Sequence, residues 1–479
     1  MSNFEDYKLS EEILKALNLL GFSKPTRVQE NVIPLVLLNK DLIVKSKTGS
    51  GKTGAFGIPI CSKIDLEVKK PKALILTPTR ELCVQIKEDI TNFGRFKRIR
   101  CTAVFGKQPV EVQVRELKQR VHIVAGTPGR TKDLIDRNYL AVDEIQYLVI
   151  DEADKMLNMG FIDQVEDIIK LLPQDRVTML FSATMPEEIE SLCQKYMCNP
   201  EKIEIETDNE EKSNIEQVLY EVDDRFKFNL LKRIIYVENP DSCIIFCSTK
   251  ESVDKVYQKL NNDGIKIEKL HGGLMQEDRL KVMNSFKKGE IRFLVATDVA
   301  ARGIDVESLS LIVNYDVPVE KESYVHRIGR TGRAGKKGKA VTFTTLSENR
   351  YIKEIEEYLD YDIPRGRIPT EEDAENAKSS FLEKNAQRPK IKADKGSKLN
   401  KEITKIYLGA GKKKKLRPGD IVGAITSIQG VSADNIGIID VQDNHSYVDI
   451  LDGKGKLVLE GLKNSKIKGK IIKVEKADK

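Results

Sequence analysis

A short apolar run that ends in consecutive carboxylates constrains this chain more than any other feature. Tyr147 to Ile150 are followed at once by Asp151, in YLVIDEAD at 147–154. A run this short with no polar face predicts a strand buried on both sides, as in a parallel sheet covered by helices. In open sheets of that kind ligands sit beyond the carboxyl ends of the strands, which is where Asp151 falls. About a hundred residues earlier, DLIVKSKTGSGKT at 41–53 supplies another strand, a glycine-containing loop and Lys52-Thr53. A strand, a G-K-T loop and a later strand ending in Asp-Glu are the parts that hold a nucleoside triphosphate and its magnesium ion.

The same alternation continues on both sides. Strands are expected at 41–44, 73–77, 121–126, 147–150 and 177–181, with helix-period apolar spacing between them, as in 80–93 and 161–172. A polar acidic stretch at 206–213 reads as a linker. A second series follows, with strands at 242–247, 265–270, 291–296, 309–315 and 340–344 and no nucleotide loop of its own. Residues 371–402 are poor in apolar side chains and predict a flexible or partly helical connection. Beyond them a strand at 403–408, a helix at 417–430, a hairpin of 436–441 with 446–451, a helix at 456–462 and a strand at 467–474 give the order βαββαβ. That order is a split-βαβ sandwich, the architecture of an RNA recognition module. The expected class is α/β, with two tandem parallel-sheet domains at 1–206 and 214–365, a linker at 366–403 and a small α+β domain at 404–479.

Composition enters through charge and cysteine. The net charge is +6, and residues 404–479 hold fifteen Lys/Arg against nine Asp/Glu, so the basic excess lies in the tail and points to a polyanion. Seven cysteines without a CxxC pair, and four histidines, make no zinc pattern. Cys193, Cys198, Cys243 and Cys247 are expected as reduced core residues. The polar, acidic N-terminus lacks the apolar core of a signal peptide, and the run at 32–38 is too short to span a bilayer. A cytoplasmic protein with no membrane partner is expected.

The loop SKTGSGKT at 46–53 offers the backbone N–H groups of Ser46, Lys47, Thr48, Gly49, Ser50 and Gly51, and a helix N-terminus, to phosphates. Lys52 is expected to reach the β and γ phosphates, and Thr53 and Asp151 to hold Mg²⁺. Glu152 is placed to orient and deprotonate the attacking water. Ser46 stands where the general pattern has glycine.

DEAD at 151–154 resembles the name-giving motif of the DEAD-box ATP-dependent RNA helicases, and the order of motifs along residues 4 to about 345 resembles that family throughout. The resemblance implies two RecA-like domains. GFSKPTRVQ at 21–29 resembles the Q motif, with Lys24 and Gln29 at the nucleotide and Phe4 stacked on the base. PTREL at 78–82 and TPGR at 127–130 are similar to the RNA-backbone motifs, which implies RNA contacts at Pro78, Arg80, Thr127, Gly129 and Arg130. Phe105-Gly106-Lys107 stands where many members have paired glycines, with Gly106 as the RNA contact. SAT at 182–184 implies coupling of hydrolysis to unwinding by Ser182, Thr184 and Asp154. The second domain continues with IIFCST at 244–249, HGG and QEDR at 271–279, ATDVAARGID at 296–305 and HRIGRTGR at 326–333. These imply RNA contacts at Thr249, Gly273, Arg279 and Thr297, nucleotide contacts at Gly303 and Asp305, a coupling role for His326, and arginine fingers at Arg330 and Arg333. Such fingers act once ATP and RNA have closed the two domains.

The tail resembles the RNA-binding domain of the DbpA (YxiN) subfamily, in LGAGKKKKLRPGDIVGAI at 408–425 and NIGIIDV at 435–441. The resemblance implies a hairpin of 23S ribosomal RNA as target and action in assembly of the large (50S) ribosomal subunit; a monomer is expected, with no sequence feature that sets the oligomeric state. By itself the basic run specifies only an anion. Lys412, Lys413, Lys414 and Lys415 are expected on phosphates. The sheet is short of the paired aromatics of such modules, with Tyr407 and Tyr447 the main candidates, so readout is expected from hydrogen bonds and loops more than from base stacking. His122 is expected to pack beside its strand and His445 to sit in a turn, neither with a role.

Overall fold

Three sheets form among the residues described in the computed structural model, which are 2–47, 49–205, 214–298, 309–332, 337–387, 397–463 and 465–477. The first holds β1 (Leu42–Lys45), β2 (Ala73–Leu76), β3 (Cys101–Val104), β4 (Ile123–Gly126), β5 (Tyr147–Asp151), β6 (Val177–Ser182) and β7 (Glu201–Glu204). All its pairings are parallel, in the order β3-β4-β2-β5-β6-β1-β7. Helices cover both faces, so β2, β4 and β5 are buried along their whole length. Strand β6 lies between β1 and β5, and this single fact of strand order brings three motifs to one sheet edge.

Asp41, expected at the head of a strand, lies just before β1 as a staple. Its carboxylate accepts from the N–H groups of Thr178 and Cys198, both at 2.7 Å. Strands β3 and β7 were not expected. The first is four residues long beside a basic stretch, and the second, Glu-Lys-Ile-Glu, is a charged edge strand without an apolar run. Cys198 is exposed, a correction to its expected place in the core, while Cys193, Cys243 and Cys247 are buried and free.

The second sheet consists of β8 (Ile215–Glu221), β9 (Cys243–Phe246), β10 (Ile267–Leu270), β11 (Phe293–Ala296), β12 (Leu311–Asn314) and β13 (Gly338–Thr344), parallel in the order β10-β11-β9-β12-β13-β8. Strand β8 escaped the sequence reading because IEQVLYE is an edge strand whose apolar residues are interrupted by Glu216 and Gln217. The helix Glu371–Ala386 belongs with this sheet. Its Phe381 is fully buried, with ring centroids 5.0 Å from Tyr236 and 5.9 Å from Phe293. The expected connection at 371–402 is thus helical and packed over its first half, because one aromatic side chain reaches the core.

The third sheet is antiparallel: β14 (Thr404–Leu408), β15 (Ile436–Val441), β16 (Ser446–Ile450) and β17 (Val474–Lys476), ordered β15-β16-β14-β17. With helices Pro418–Thr426 and Gly455–Lys463 it completes βαββαβ. The last strand is shorter and later than the expected 467–474. Ile467 instead bridges to Lys470 in a turn.

Two compact units divide the chain. One contains the first sheet together with residues 394–479, and the other the second sheet. Within the first unit, Leu399, Ile403 and Leu451 of the tail share an apolar cluster with Ala16 and Phe96. Arg95 pairs with Asp449 at 3.2 Å and Lys15 with Asp452 at 2.5 Å. Among the described residues no helix is long and apolar enough to cross a membrane.

Candidate functional site

The loop after β1 is shaped by its glycines. Gly49 and Gly51 have φ of 82° and 93°, a backbone that disfavours side chains. A Cβ on Gly51 would come within 2.8 Å of Thr26 Oγ1 and 2.9 Å of Gln29 Nε2. Helix Lys52–Lys63 starts at once, so its N-terminus faces whatever the loop holds.

The Q-motif residues meet this loop directly. Thr26 caps helix Arg27–Leu37 and gives its hydroxyl to Ser50 O at 2.8 Å. Buried Gln29 accepts from Thr26 N–H at 3.0 Å and donates to Gly51 O at 3.1 Å. Its amide thereby ties the loop to the helix beside it. Phe4 is buried against Phe22, with centroids 6.1 Å apart, and Lys24 is exposed.

At the neighbouring strand ends, Lys52 Nζ lies 3.9 Å from Asp151 Oδ1 and 3.5 Å from Ser46 O. Burial pushes Asp151 up to about 6, Lys52 works against that, and the adjacent Glu152 adds to it. Glu152 is a non-glycine residue in the left-handed region, with φ 56° and ψ 50°, at the cap of helix Ala153–Asn158. This uncommon backbone turns the chain sharply after β5 and sets the Glu152 side chain beside Lys155, whose Nζ is 2.6 Å from Oε1. Lys155 was not singled out in the sequence, although its i+3 spacing from Glu152 on a helix start was visible.

Asp154 is the hub between motifs. Its Oδ2 accepts from the N–H groups of Ala183 and Thr184, each at 3.2 Å, and from the Thr184 hydroxyl at 3.3 Å. Ser182 Oγ in turn accepts from Asp154 N–H at 3.2 Å, and Ser182 O accepts from Ser46 N–H at 2.9 Å. The phosphate loop, the DEAD segment and the SAT segment are therefore one hydrogen-bonded chain, made possible by β6 standing between β1 and β5.

On the same sheet edge, Thr79 caps the helix that begins at Arg80, and Thr127 precedes the helix that begins at Pro128. The Cβ position of Gly106 is 3.9 Å from Arg80 Nη2, so Arg80 and Gly106 are neighbours. Arg130 turns toward the 105–108 loop, donating to Gln108 O and Gln113 Oε1, both at 3.1 Å. Buried Gln113 donates to Phe105 O and Gln108 Oε1, each at 2.8 Å. Gln113 therefore shapes this loop, and nothing in its local sequence signals that role. Lys107 adopts φ 59° where a glycine would sit without strain.

In the second unit, Thr249 caps helix Lys250–Asn262 and accepts from Ser252 N–H at 3.1 Å. His271 Nδ1 accepts from Gly273 N–H at 3.2 Å, and its Nε2 is 3.3 Å from Asp254. Thr297 N–H donates to Leu270 O at 3.2 Å. Arg279 and Arg330 are buried, and His326 is half-buried. Arg327, not singled out in the sequence, is buried and bonded twice to Asp298, with further bonds to Asn314 Oδ1 and Asp316 O. It braces the loop after β11 against helix Lys321–Ile328. Thr48, Gly303, Asp305 and Arg333 lie outside the described residues.

The tail gathers aromatic rings on its sheet. His445 stacks on Tyr407 at 5.5 Å with 27° between planes, and meets Tyr447 edge-on at 5.2 Å. His445 is thus a member of a ring cluster and more than a turn residue. The exposed lysines 412–415 are fastened next to it, through Lys412 N–H to Gln442 O at 2.8 Å and Lys413 N–H to Asp443 O at 2.9 Å. Gly411 is obligatory there, since a Cβ would lie 2.2 Å from Gln442 O. Rings beside cations suit stacked bases and phosphates. His122 packs in the first sheet as expected, with Nδ1 accepting from Arg100 N–H at 2.9 Å.

Comparison with known proteins agrees with this geometry. The DEAD/DEAH box helicase family matches residues 26–192, the helicase conserved C-terminal domain 226–335, and the DbpA RNA binding domain 405–476. The chain is 57% identical to "ATP-dependent RNA helicase DbpA" of Bacillus subtilis (strain 168) over 479 residues, all of both chains. It is 43% identical to "DEAD-box ATP-dependent RNA helicase CshA" of Geobacillus kaustophilus, over 78% of this chain and 80% of the relative. Among solved structures, S. cerevisiae Dbp5 bound to RNA and ADP BeF3 is similar with a TM-score of 0.69 and 31% identity, over 80% of this chain and all of that one.

Proposed function

The chain belongs to the DEAD-box ATP-dependent RNA helicases, within them to the DbpA subfamily, and from that premise we propose that its tail directs it to a hairpin of 23S ribosomal RNA during assembly of the large ribosomal subunit. The observation that carries this reading is the Tyr407–His445–Tyr447 ring cluster beside the Lys412 to Lys415 loop, on a module joined to an RNA-dependent ATPase. The domains in this reading are 1–206 and 214–365 as the helicase core, 366–403 as the connection, whose helix Glu371–Ala386 packs on the second sheet, and 404–479 as the targeting module.

Each site residue takes a role from its place. Backbone N–H groups of the 47–51 loop hold the ATP phosphates and Lys52 neutralises them, whereas Ser46 N–H, expected among them, is given to Ser182 O. Gln29 is the adenine reader, with Phe4 and Lys24 near the base. Asp151 and Thr53 fit magnesium, because a buried carboxylate at the end of β5 and a hydroxyl in the first turn of helix Lys52–Lys63 are the oxygen donors that a hard divalent cation takes. That ion, when bound with ATP, offsets phosphate charge. Glu152 orients the water and takes its proton, and Lys155 holds the Glu152 side chain. Asp154 passes the state of the nucleotide to Ser182 and Thr184. Arg330 supplies positive charge from the second unit, so hydrolysis in this reading waits for a closed arrangement. RNA lies over Pro78, Arg80, Gly106, Thr127, Gly129 and Arg130 in the first unit and over Thr249, Gly273, Arg279 and Thr297 in the second.

The test is steady-state ATP hydrolysis with no RNA, with unstructured RNA and with a 23S fragment carrying the hairpin. Strong stimulation by the fragment alone is expected. Equal stimulation by all RNAs would leave the helicase without this target.

A further inference from the structure

Within the first unit, a cleft of about 610 Å³ lies between the tail module and loops of the first sheet domain. Arg98, Arg100, Lys118 and Arg120 line it from the sheet domain, and Lys412 and Arg417 from the tail. Glu67 is the one acid among its lining residues. Several of these cations bond to neutral acceptors: Arg98 to Ala433 O at 2.8 Å, Arg100 to the Gln119 side chain, and Arg120 to Val68 O at 2.9 Å. Arg120 also meets Glu67 at 3.9 Å, and Asp440 and Asp449 act on Arg100, so part of this charge is offset, while among the described residues Arg98 and Lys118 have no acidic partner. His122, at the base of the cleft, registers the same field. Burial first, then Arg120, Arg100 and Lys97, push its imidazole down to about 4. Leu416 and Val422 add apolar surface.

We infer that this cleft is an RNA-binding groove, in which the phosphodiester backbone of a strand leaving the tail's own RNA surface runs on across the first sheet domain. Three observations support RNA over an acidic protein. Lys412 belongs both to the loop beside the Tyr407–His445 rings and to the cleft, so the two surfaces are continuous. Cations interleaved with apolar side chains such as Leu416 and Val422 suit a charged backbone that carries flat bases. The tail is also held in place by Arg95–Asp449, Lys15–Asp452 and the Leu399–Phe96 cluster, so the groove's two walls are kept in register. The inference rests on RNA as ligand and is independent of which RNA the tail selects.

The experiment uses the full chain with Lys118→Glu and Arg120→Glu combined, two exposed residues outside every ATP and RNA motif. Affinity is measured for a hairpin alone and for the same hairpin with a single-stranded extension. The expected result is about a tenfold loss confined to the extended RNA. The slope of log affinity against log salt should be shallower by about 1.4, with RNA-free ATP hydrolysis unchanged. Acetylation of wild-type protein, read by mass spectrometry, should show Lys118 protected by the extended RNA and not by the bare hairpin. No loss on the extended RNA, an equal loss on both RNAs, or no protection of Lys118 would overturn the inference. Failure of the 23S target would show differently, as equal binding of unrelated hairpins.

Discussion

Thr184 donates both its backbone N–H, at 3.2 Å, and its hydroxyl, at 3.3 Å, to one oxygen of Asp154. The SAT side chains are thus bonded to the DEAD segment, while the Ser182 carbonyl accepts from Ser46 N–H of the nucleotide loop. Replacing Thr184 and Ser182 together by Ala removes hydroxyl bonds of about 1 kcal/mol each without touching Lys52 or Glu152. RNA-stimulated ATP turnover is expected to stay within about threefold, with duplex unwinding lost by more than about tenfold. Parallel loss of both activities would show that Asp154 serves the chemical step itself.

Glu152→Gln keeps the shape of the base and removes its charge. ATP binding should persist, while turnover falls by about 10² to 10⁴. Single-turnover hydrolysis alongside nucleotide-binding fluorescence separates the two, and full turnover in the variant would remove Glu152 from its role.

His122 predicts an acid limb in stability. Its folded value of about 4 lies below the ordinary 6.5, so its contribution is fully present above pH 6.5 and is lost as pH falls toward 4. Protonation also forfeits the bond that Nδ1 accepts from Arg100 N–H. About 3 kcal/mol is at stake across that window. Denaturant melts at pH 7 and pH 4.5 should differ less in His122→Gln than in wild type, and an identical pH dependence would contradict the assignment.

Tyr407→Ala with His445→Ala should weaken binding of the tail's RNA by about 1 to 3 kcal/mol per stacked base. The salt slope should hold, because no phosphate contact is removed. Changing Lys412 to Lys415 to Ala should do the reverse, flattening the slope. Fluorescence anisotropy across a salt series distinguishes the two sets.

Phe381→Ala should cost the second sheet domain about 3 to 5 kcal/mol, as for a buried aromatic side chain. If the helix Glu371–Ala386 were only a connection, thermal unfolding would be unmoved.

The chain by itself specified the strands with uninterrupted apolar runs, such as β2 and β5, and the carboxylates and glycines at their ends. In a parallel sheet both faces are buried, so each of these strands carries its own signal in four consecutive residues. It also specified the nucleotide loop, since Gly49 and Gly51 occupy backbone angles that few other residues tolerate. Edge strands such as β7 and β8 stayed invisible because exposed polar residues interrupt their apolar runs. The tertiary structure alone decided that β6 stands between β1 and β5, which turns three separate motifs into one bonded network. It alone turned Arg130 onto Gln113, set Lys155 against Glu152, stacked His445 on Tyr407 and brought Arg98 and Arg120 to face Arg417. Local periodicity reports how a residue is buried, whereas these partners are set by strand order and packing between segments far apart in the chain.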